Sequence, residues 1–267
     1  MFIDTHCHLN MIVKEEINVP ISQNQLLLVD PVLKEAKEQK VDKILTIGTN
    51  LIESINSIEI AKEYENVFSV VGLHPCDCTQ DWGEDFSKIK ELVENRKHNK
   101  IVAIGETGLD FYHEPFHRGR QLSSFEAHIE FALECDLPLV VHVRESSDEI
   151  LQVLEKYKKE VKGVIHCFSQ DKSFADTVLE WGLYLGINAP LTYPKNEELR
   201  ELIATIPLEK ILLETDAPFL PPQQFRGKQN RPAYVPIIAQ AIANAKKIDV
   251  SEVERVTTEN AQKLFGI

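Results

Sequence analysis

The residues best equipped for chemistry stand at the start of this 267-residue chain, where MFIDTHCHLN sets Asp4, His6 and His8 two apart. In an extended strand, side chains at i, i+2 and i+4 project to one face. On that geometry the carboxylate and both imidazoles point the same way, and two imidazoles at a strand end can close on one divalent ion. An isolated His-x-His is commonly just polar surface. The pattern gains meaning only if the rest of the chain supplies more ligands, and it does. His74 lies in GLHP, Glu106 and Asp110 lie in GETGLD, His142 and Arg144 close LVVHVR, His166 follows VI, and Asp216 ends LLETD.

Each of these residues lies at or shortly after the end of an apolar run. Eight such runs read as strands: Met1–Thr5, Lys43–Gly48, Val67–Gly72, Ile101–Gly105, Pro138–Val141, Gly163–Ile165, Gly182–Ile187 and Lys210–Glu214. Helix-compatible stretches follow them, most clearly Asn50–Tyr64, Glu84–Arg96, Gly119–Cys135, Ser147–Lys158, Ser173–Glu180 and Glu197–Thr205. Near-continuous apolar strands alternating with amphipathic helices predict a parallel sheet covered on both faces. The length suits one (β/α)8 barrel spanning residues 1–267, since such barrels take ~250 residues. An open doubly wound sheet is the alternative, but no GxGxxG follows the first strand. In a barrel all these polar residues fall at C-terminal strand ends, the face where barrel enzymes build their sites. One of them alone, such as His142, would more often be a hydrogen-bonded core histidine.

Four imidazoles (His6, His8, His142, His166) and two carboxylates (Glu106, Asp216) exceed the shell of a single tetrahedral ion. Two divalent ions use them better, with His6, His8 and Asp216 on one, His142 and His166 on the other, and Glu106 bridging. Mixed nitrogen and oxygen donors admit Zn, Mn, Co or partly hydrated Mg. Ions ~3.5–4 Å apart can clamp and acidify a water and stabilise the leaving oxygen of an in-line displacement. Glu106 and Asp216 are therefore the catalytic candidates, Asp216 as acceptor of that water's proton. Glu214 either steadies a ligand or fills a barrel layer. Asp4 and Asp110 are candidate acceptors for ligand imidazoles.

Composition narrows the partners. Against 29 Lys and Arg stand 42 Asp and Glu, a net charge of −13, which argues against gripping a long duplex through many phosphates. A pocket that takes a strand end remains open, because metal ions would supply the positive charge there. The five cysteines are odd in number and scattered, no secretory segment precedes Asp4, and no apolar run nears the ~20 residues of a membrane helix. Reduced thiols, a cytoplasmic address and no membrane or obligate protein partner are expected. Cys76-x-Cys78 lacks a second cysteine pair and reads as loop thiols.

These motifs together resemble the TatD family of metal-dependent deoxyribonucleases, within the amidohydrolase-like barrels. Phe2–Asn10, Gly72–Pro75, Gly105–Phe111, Pro138–Arg144, His166–Ser169, Glu214–Leu220 and Arg226–Pro232 carry the resemblance across nearly the whole chain. It implies a TIM-type barrel, metal binding by His6, His8, Glu106, His142, His166 and Asp216, and phosphodiester hydrolysis. DNA as substrate, hydrolysed from a 3′ end, comes from the resemblance alone; the preference for single strands or frayed ends over intact duplex follows from the net charge and the few phosphate contacts it allows. Glu145-Ser146, Cys76-Asp77 and Gln170 depart from the family's usual residues without removing a ligand, which leaves substrate preference open. Arg226 and Lys228 occupy a loop after the last strand, where barrels often hold phosphate; each is equally well a solvated basic side chain. His74 and Arg144 are further substrate-binding candidates. The same ligands would serve a carboxylic ester or amide, such as an aminoacyl group on tRNA, because a Lewis acid polarises either oxygen. A non-catalytic metal-binding scaffold is the third reading.

Overall fold

Parallel strands cannot be joined by hairpins, so each crossover must climb back over the sheet, usually as a helix. The structure, a computed structural model, describes residues 1–14 and 16–267. Its strands are β1 (Phe2–Cys7), β2 (Val41–Ile47), β3 (Val67–Val71), β4 (Ile101–Asp110), β5 (Leu139–Arg144), β6 (Gly163–Ile165), β7 (Tyr184–Ile187) and β8 (Ile211–Leu213). The helices are α1 (Leu9–Ile12), α2 (Gln23–Leu27), α3 (Val29–Glu38), α4 (Leu51–Glu63), α5 (Trp82–Glu94) and α6 (Arg118–Cys135). After them come α7 (Ser147–Leu154), α8 (Lys172–Glu180), α9 (Glu197–Thr205), α10 (Val235–Lys246) and α11 (Val250–Phe265). The strands pair in sequence order, β1 to β8, and every neighbouring pair is parallel. Hydrogen bonds close the seam: Asp216 N–H to His6 O at 2.8 Å and His8 N–H to Ala217 O at 2.7 Å. Thr5 Oγ1 adds a bond to Leu213 O at 3.0 Å. This is the (β/α)8 barrel that strand–helix alternation predicts, not the open sheet.

Two layers of packing follow from strand periodicity. Ile3, Leu45, Ile47, Val70, Val140, Val164 and Leu212 pack with Leu264 and Phe265 of α11 in one cluster. Their strand neighbours Phe2, Ile44, Val71, Ile104, Leu139, Ile165 and Leu213 pack with the surrounding helices in the other. Adjacent residues thus serve opposite faces of one sheet.

The main departure from the sequence reading is β4, which runs on to Asp110 instead of stopping at Gly105. Between Ile104 and Thr107 its register against β5 shifts, Ile104 pairing Leu139 and Thr107 pairing Val141. Such a bulge re-aims side chains while the strand continues. Gly105 and Gly108 permit it, since a Cβ on them would lie 2.6 Å from Val140 O and 2.1 Å from His142 O. Glycine, which usually weakens a strand interior, here allows the backbones to approach. Strand β1 likewise extends to Cys7, carried by its bonds across the seam.

One buried histidine serves the scaffold. His128 of α6 accepts Leu73 N–H at Nε2 (3.1 Å) and donates from Nδ1 to Ser124 O (2.7 Å), and its ring stacks on Phe86. Burial pushes its pKa down to about 4, so the native ring is neutral and the unfolded one takes up the proton first. His128 therefore contributes stability in full above about pH 6.5, and loses it as pH falls from there toward 4, by up to ~1.4 kcal/mol per pH unit. Unfolding free energies measured between pH 7 and 4 are expected to fall less steeply in His128→Gln than in the wild type. Parallel curves would remove His128 from this role.

Candidate metal centre

Strand ends bring the chemically competent residues together at one mouth of the barrel. From β1, His6 Nε2 and His8 Nε2 lie 3.3 Å apart, and His8 Nδ1 is tied to Ile47 O at 3.1 Å. Asp216 follows β8 and sets Oδ1 3.7 Å from His6 Nε2 and 3.5 Å from His8 Nε2. The β4 bulge sends Glu106 into the middle. Its Oε1 lies 2.9 Å from His166 Nε2, 2.9 Å from His142 Nδ1 and 3.6 Å from His74 Nε2. Its Oε2 lies 3.4 Å from His6 Nε2 and 3.9 Å from His8 Nε2. The His6 ring stacks on His166 with centroids 3.9 Å apart, and His74 meets His142 edge-on at 4.4 Å.

This donor set fits divalent cations. The 3.3 Å between His6 and His8 nitrogens is close to the edge of a tetrahedron whose arms are zinc–nitrogen bonds of ~2.0–2.1 Å. Ligating atoms gather within 4.8 Å of one another as His6–His8–Asp216, His6–Glu106–His166 and His74–Glu106–His142. Glu106 is common to the last two sets, as a bridge would have to be. His74, read from the sequence as a substrate contact, also lies within ligating reach.

The charges of the centre are mutually dependent. Burial would raise the Glu106 carboxyl, but the surrounding His166, His74, His6 and His142 hold it well below the usual carboxylate range. Asp216 is treated the same way, burial being outweighed by His8 and then His166. Burial lowers the His6 imidazole and, with His142 beside it, takes His74 down to about 3. Burial also opposes charge on His166, yet Glu106 and Glu214 raise it. The ionised carboxylates and the lowered His6 and His74 are in the states that cation binding needs. His166 and, despite burial, His8 beside Asp216 and His142 beside Asp110 are raised and would give up a proton as an ion binds.

The profile of TatD related DNases matches residues 3–266. The chain belongs to that family. As a TatD family member it is a metal-dependent hydrolase, and this buried cluster is its candidate centre. It is 34% identical to a Bacillus subtilis protein described as the uncharacterized metal-dependent hydrolase YabD, over the whole of both chains. It is also 34% identical to the 3′-5′ ssDNA/RNA exonuclease TatD of Erwinia amylovora, over 89% of this chain and 93% of that one. Among solved structures, the Escherichia coli TatD homologue YJJV superposes with a TM-score of 0.89 at 26% identity, covering 100% of this chain and 98% of the other.

Residues behind and around the centre of this TatD family chain divide clearly. Asp110 Oδ2 lies 3.0 Å from His142 Nε2, so the ring presents Nδ1 to Glu106 with its other nitrogen anchored. Asp4 does not join the imidazoles. Its carboxylate accepts Thr215 N–H at 2.9 Å, Thr215 Oγ1 at 2.6 Å and His6 N–H at 3.3 Å. The irregular pairing of β1 between Asp4 and Cys7 breaks the i, i+2 alternation on which a shared face depends. Glu214 accepts Cys167 N–H at 2.6 Å and stands 3.4 Å from His166 Nδ1, which places it behind that imidazole. Arg144, Arg226 and Lys228 are exposed, each over an aromatic ring: Tyr112 at 4.6 Å, Tyr193 at 4.9 Å and Phe225 at 5.9 Å. Two further residues escaped the sequence reading, Phe219 and Tyr112, at 50% and 52% exposure. Phe219 lies edge-on to His8 at 5.8 Å. Its place in ETDAPFL, just past Asp216, was the available signal. Among the described residues, no helix is long and apolar enough to cross a membrane.

Proposed function

We propose that this hydrolase removes nucleotides from the 3′ end of single-stranded or frayed DNA, using two divalent ions (Mg, Mn, Zn or Co) held around Glu106. The carrying observation is the convergence of His6, His8, His74, His142 and His166 on that one carboxylate, with Asp216 beside His6 and His8. The Erwinia relative's description as a 3′-5′ ssDNA/RNA exonuclease supports the substrate and polarity. His6, His8 and Asp216 would hold one ion, His142 and His166 the other, with Glu106 shared. When bound, such ions lower the pKa of water and stabilise the leaving oxygen of an in-line displacement. Asp216 is more open than Glu106, its side chain 13% exposed against 4%, which supports giving it the proton of the attacking water. Asp110 holds His142 in its tautomer throughout. Phe219 and Tyr112 offer faces on which splayed bases stack, an interaction worth ~1–3 kcal/mol per base.

The acid balance of the chain, −13, keeps phosphate contacts few. Arg226 and Lys228 are the candidates for them, with His74 and Arg144 nearer the centre. Each neutralised phosphate of a single strand contributes about −0.7 to the slope of log affinity against log salt, so a shallow slope is expected. Arg226→Ala should raise KM more than it lowers kcat, as expected for loss of a positioning contact. The test is metal-supplemented hydrolysis of end-labelled oligonucleotides by the pure protein, with Asp216→Asn as control, across a salt series. Steep salt dependence, or equal cleavage of closed circular duplex, would overturn the strand-end reading. Turnover of aminoacyl-tRNA with no oligonucleotide cleavage would move the activity to carboxylic esters.

A further inference from the structure

Beside Glu106 and His142, toward the rim, lies a group of ligating atoms to which the two-ion reading assigns no ion. A ring nitrogen of His74, the Cys76 thiol and a carboxylate oxygen of Asp110 lie within 4.8 Å of one another. His74 and Cys76 flank Pro75 at the single turn Pro75–Asp77 that follows β3, and Asp110 ends β4. Both arms are held in place. His74 Nδ1 accepts Cys76 N–H at 3.1 Å, which leaves Nε2 directed toward the centre, 3.6 Å from Glu106 Oε1. Asp110 is fully buried; its Oδ1 accepts the backbone N–H groups of Tyr112 (3.0 Å) and His113 (2.9 Å). The rings of His142 and His113 both stand against Oδ2, at 3.0 and 2.8 Å, so an ion on that oxygen would take the place of the exposed His113 ring. Cys76 itself is exposed, so the group has a rigid floor and an open side.

We propose that His74, Cys76 and Asp110 form a third cation site, selective for a thiophilic divalent ion of the zinc class. One nitrogen, one sulfur and one oxygen donor are the ligand types zinc takes, at ~2.0–2.3 Å. A thiolate discriminates against Mg and Mn, which prefer oxygen. Three protein ligands leave a fourth position free for water or an anionic substrate oxygen, the pattern of sites that act on substrate. Binding exchanges the thiol proton for the ion: the sulfur–hydrogen bond is lost, a sulfur–metal bond forms, and one proton is released to solvent. The pair Cys76-x-Cys78 does not act as a unit, because Cys78 is buried with its Sγ 3.6 Å from His74 O.

The test uses the full chain, stripped with chelator and reloaded with Co2+ or Zn2+. The wild type is expected to retain one more ion per chain than Cys76→Ser or Cys76→Ala. Its Co2+ form should show a near-ultraviolet sulfur-to-cobalt charge-transfer band that both variants lack, and excess Mg2+ should leave the band in place. Zn2+, and not Mg2+, should slow alkylation of Cys76. Equal ion content in wild type and variants, no band at saturating Co2+, or a band that survives Cys76→Ser would overturn the site. Because the readout is a difference between wild type and variant, it holds whether the Glu106 cluster takes one ion or two.

Discussion

Replacing Glu106 by Gln is expected to lower kcat/KM for hydrolysis by at least ~10³-fold and, if two ions share it as proposed, to weaken both together. The carboxylate lies within 4 Å of five imidazole nitrogens, those of His6, His8, His74, His142 and His166. No other carboxylate in the cluster touches so many. An amide has the same shape but no charge, so it can neither be shared between two cations nor favour their approach. Several kcal/mol of transition-state stabilisation depend on such ions, and each ~1.36 kcal/mol is tenfold in rate. Metal content after dialysis and kcat/KM would be measured on wild type and variant, with circular dichroism to show that the fold is kept. The Cys76→Ser background keeps the rim site out of the count. A variant that holds two ions and retains activity would remove Glu106 from the bridge. A wild-type titration in that background saturating at one ion under all conditions would do the same.

Glu53→Ala should cost the fold ~3–5 kcal/mol, the usual penalty for stranding one partner of a buried ion pair. Glu53 is fully buried on α4 and accepts Lys14 Nζ at 2.8 and 3.1 Å, Asn10 Nδ2 at 2.8 Å, Asn56 Nδ2 at 3.0 Å and Asn18 N–H at 2.6 Å. Burial alone would raise its pKa, but the bonds from Lys14, Asn56 and Asn10 hold it below the usual value. It thus ties the segment that leaves β1 just after His8 to α4, the helix that crosses back from β2 to β3. Removing it leaves the Lys14 ammonium, whose side chain is completely buried, without its counter-charge. The urea-unfolding midpoint is the measurement, with Glu53→Gln expected to fall between wild type and alanine because the amide still accepts. A shift in Glu53→Ala worth less than ~1 kcal/mol, the range of exposed pairs, would show that the network is replaceable.

Barrel and candidate donors were legible in the chain because both depend on local order. Apolar strands of four to eight residues carry their own period, and a polar residue placed just after one must emerge at its C-terminal end. Helices α10 and α11 were less apparent because they follow the last strand, with no further strand to frame them; α3 lies in the long β1–β2 crossover behind a polar, irregular stretch. Asp4 misled for a related reason: regular alternation puts it beside His6, but the seam with β8 turns it to Thr215.

What the amino-acid order determined by itself was which residues could act and on which rim of the barrel they stand, since strand periodicity and strand ends are properties of short stretches. Tertiary structure alone decided their grouping. Glu106 reaches five imidazoles because a bulge in β4 and two glycines let that strand press against β5. His74 joins the ligating atoms, and Cys76 comes to Asp110, because the segment leaving β3 packs against the part of β4 that runs on beyond Ile104. Distances between strand ends are set by barrel closure and register, and no local pattern encodes them.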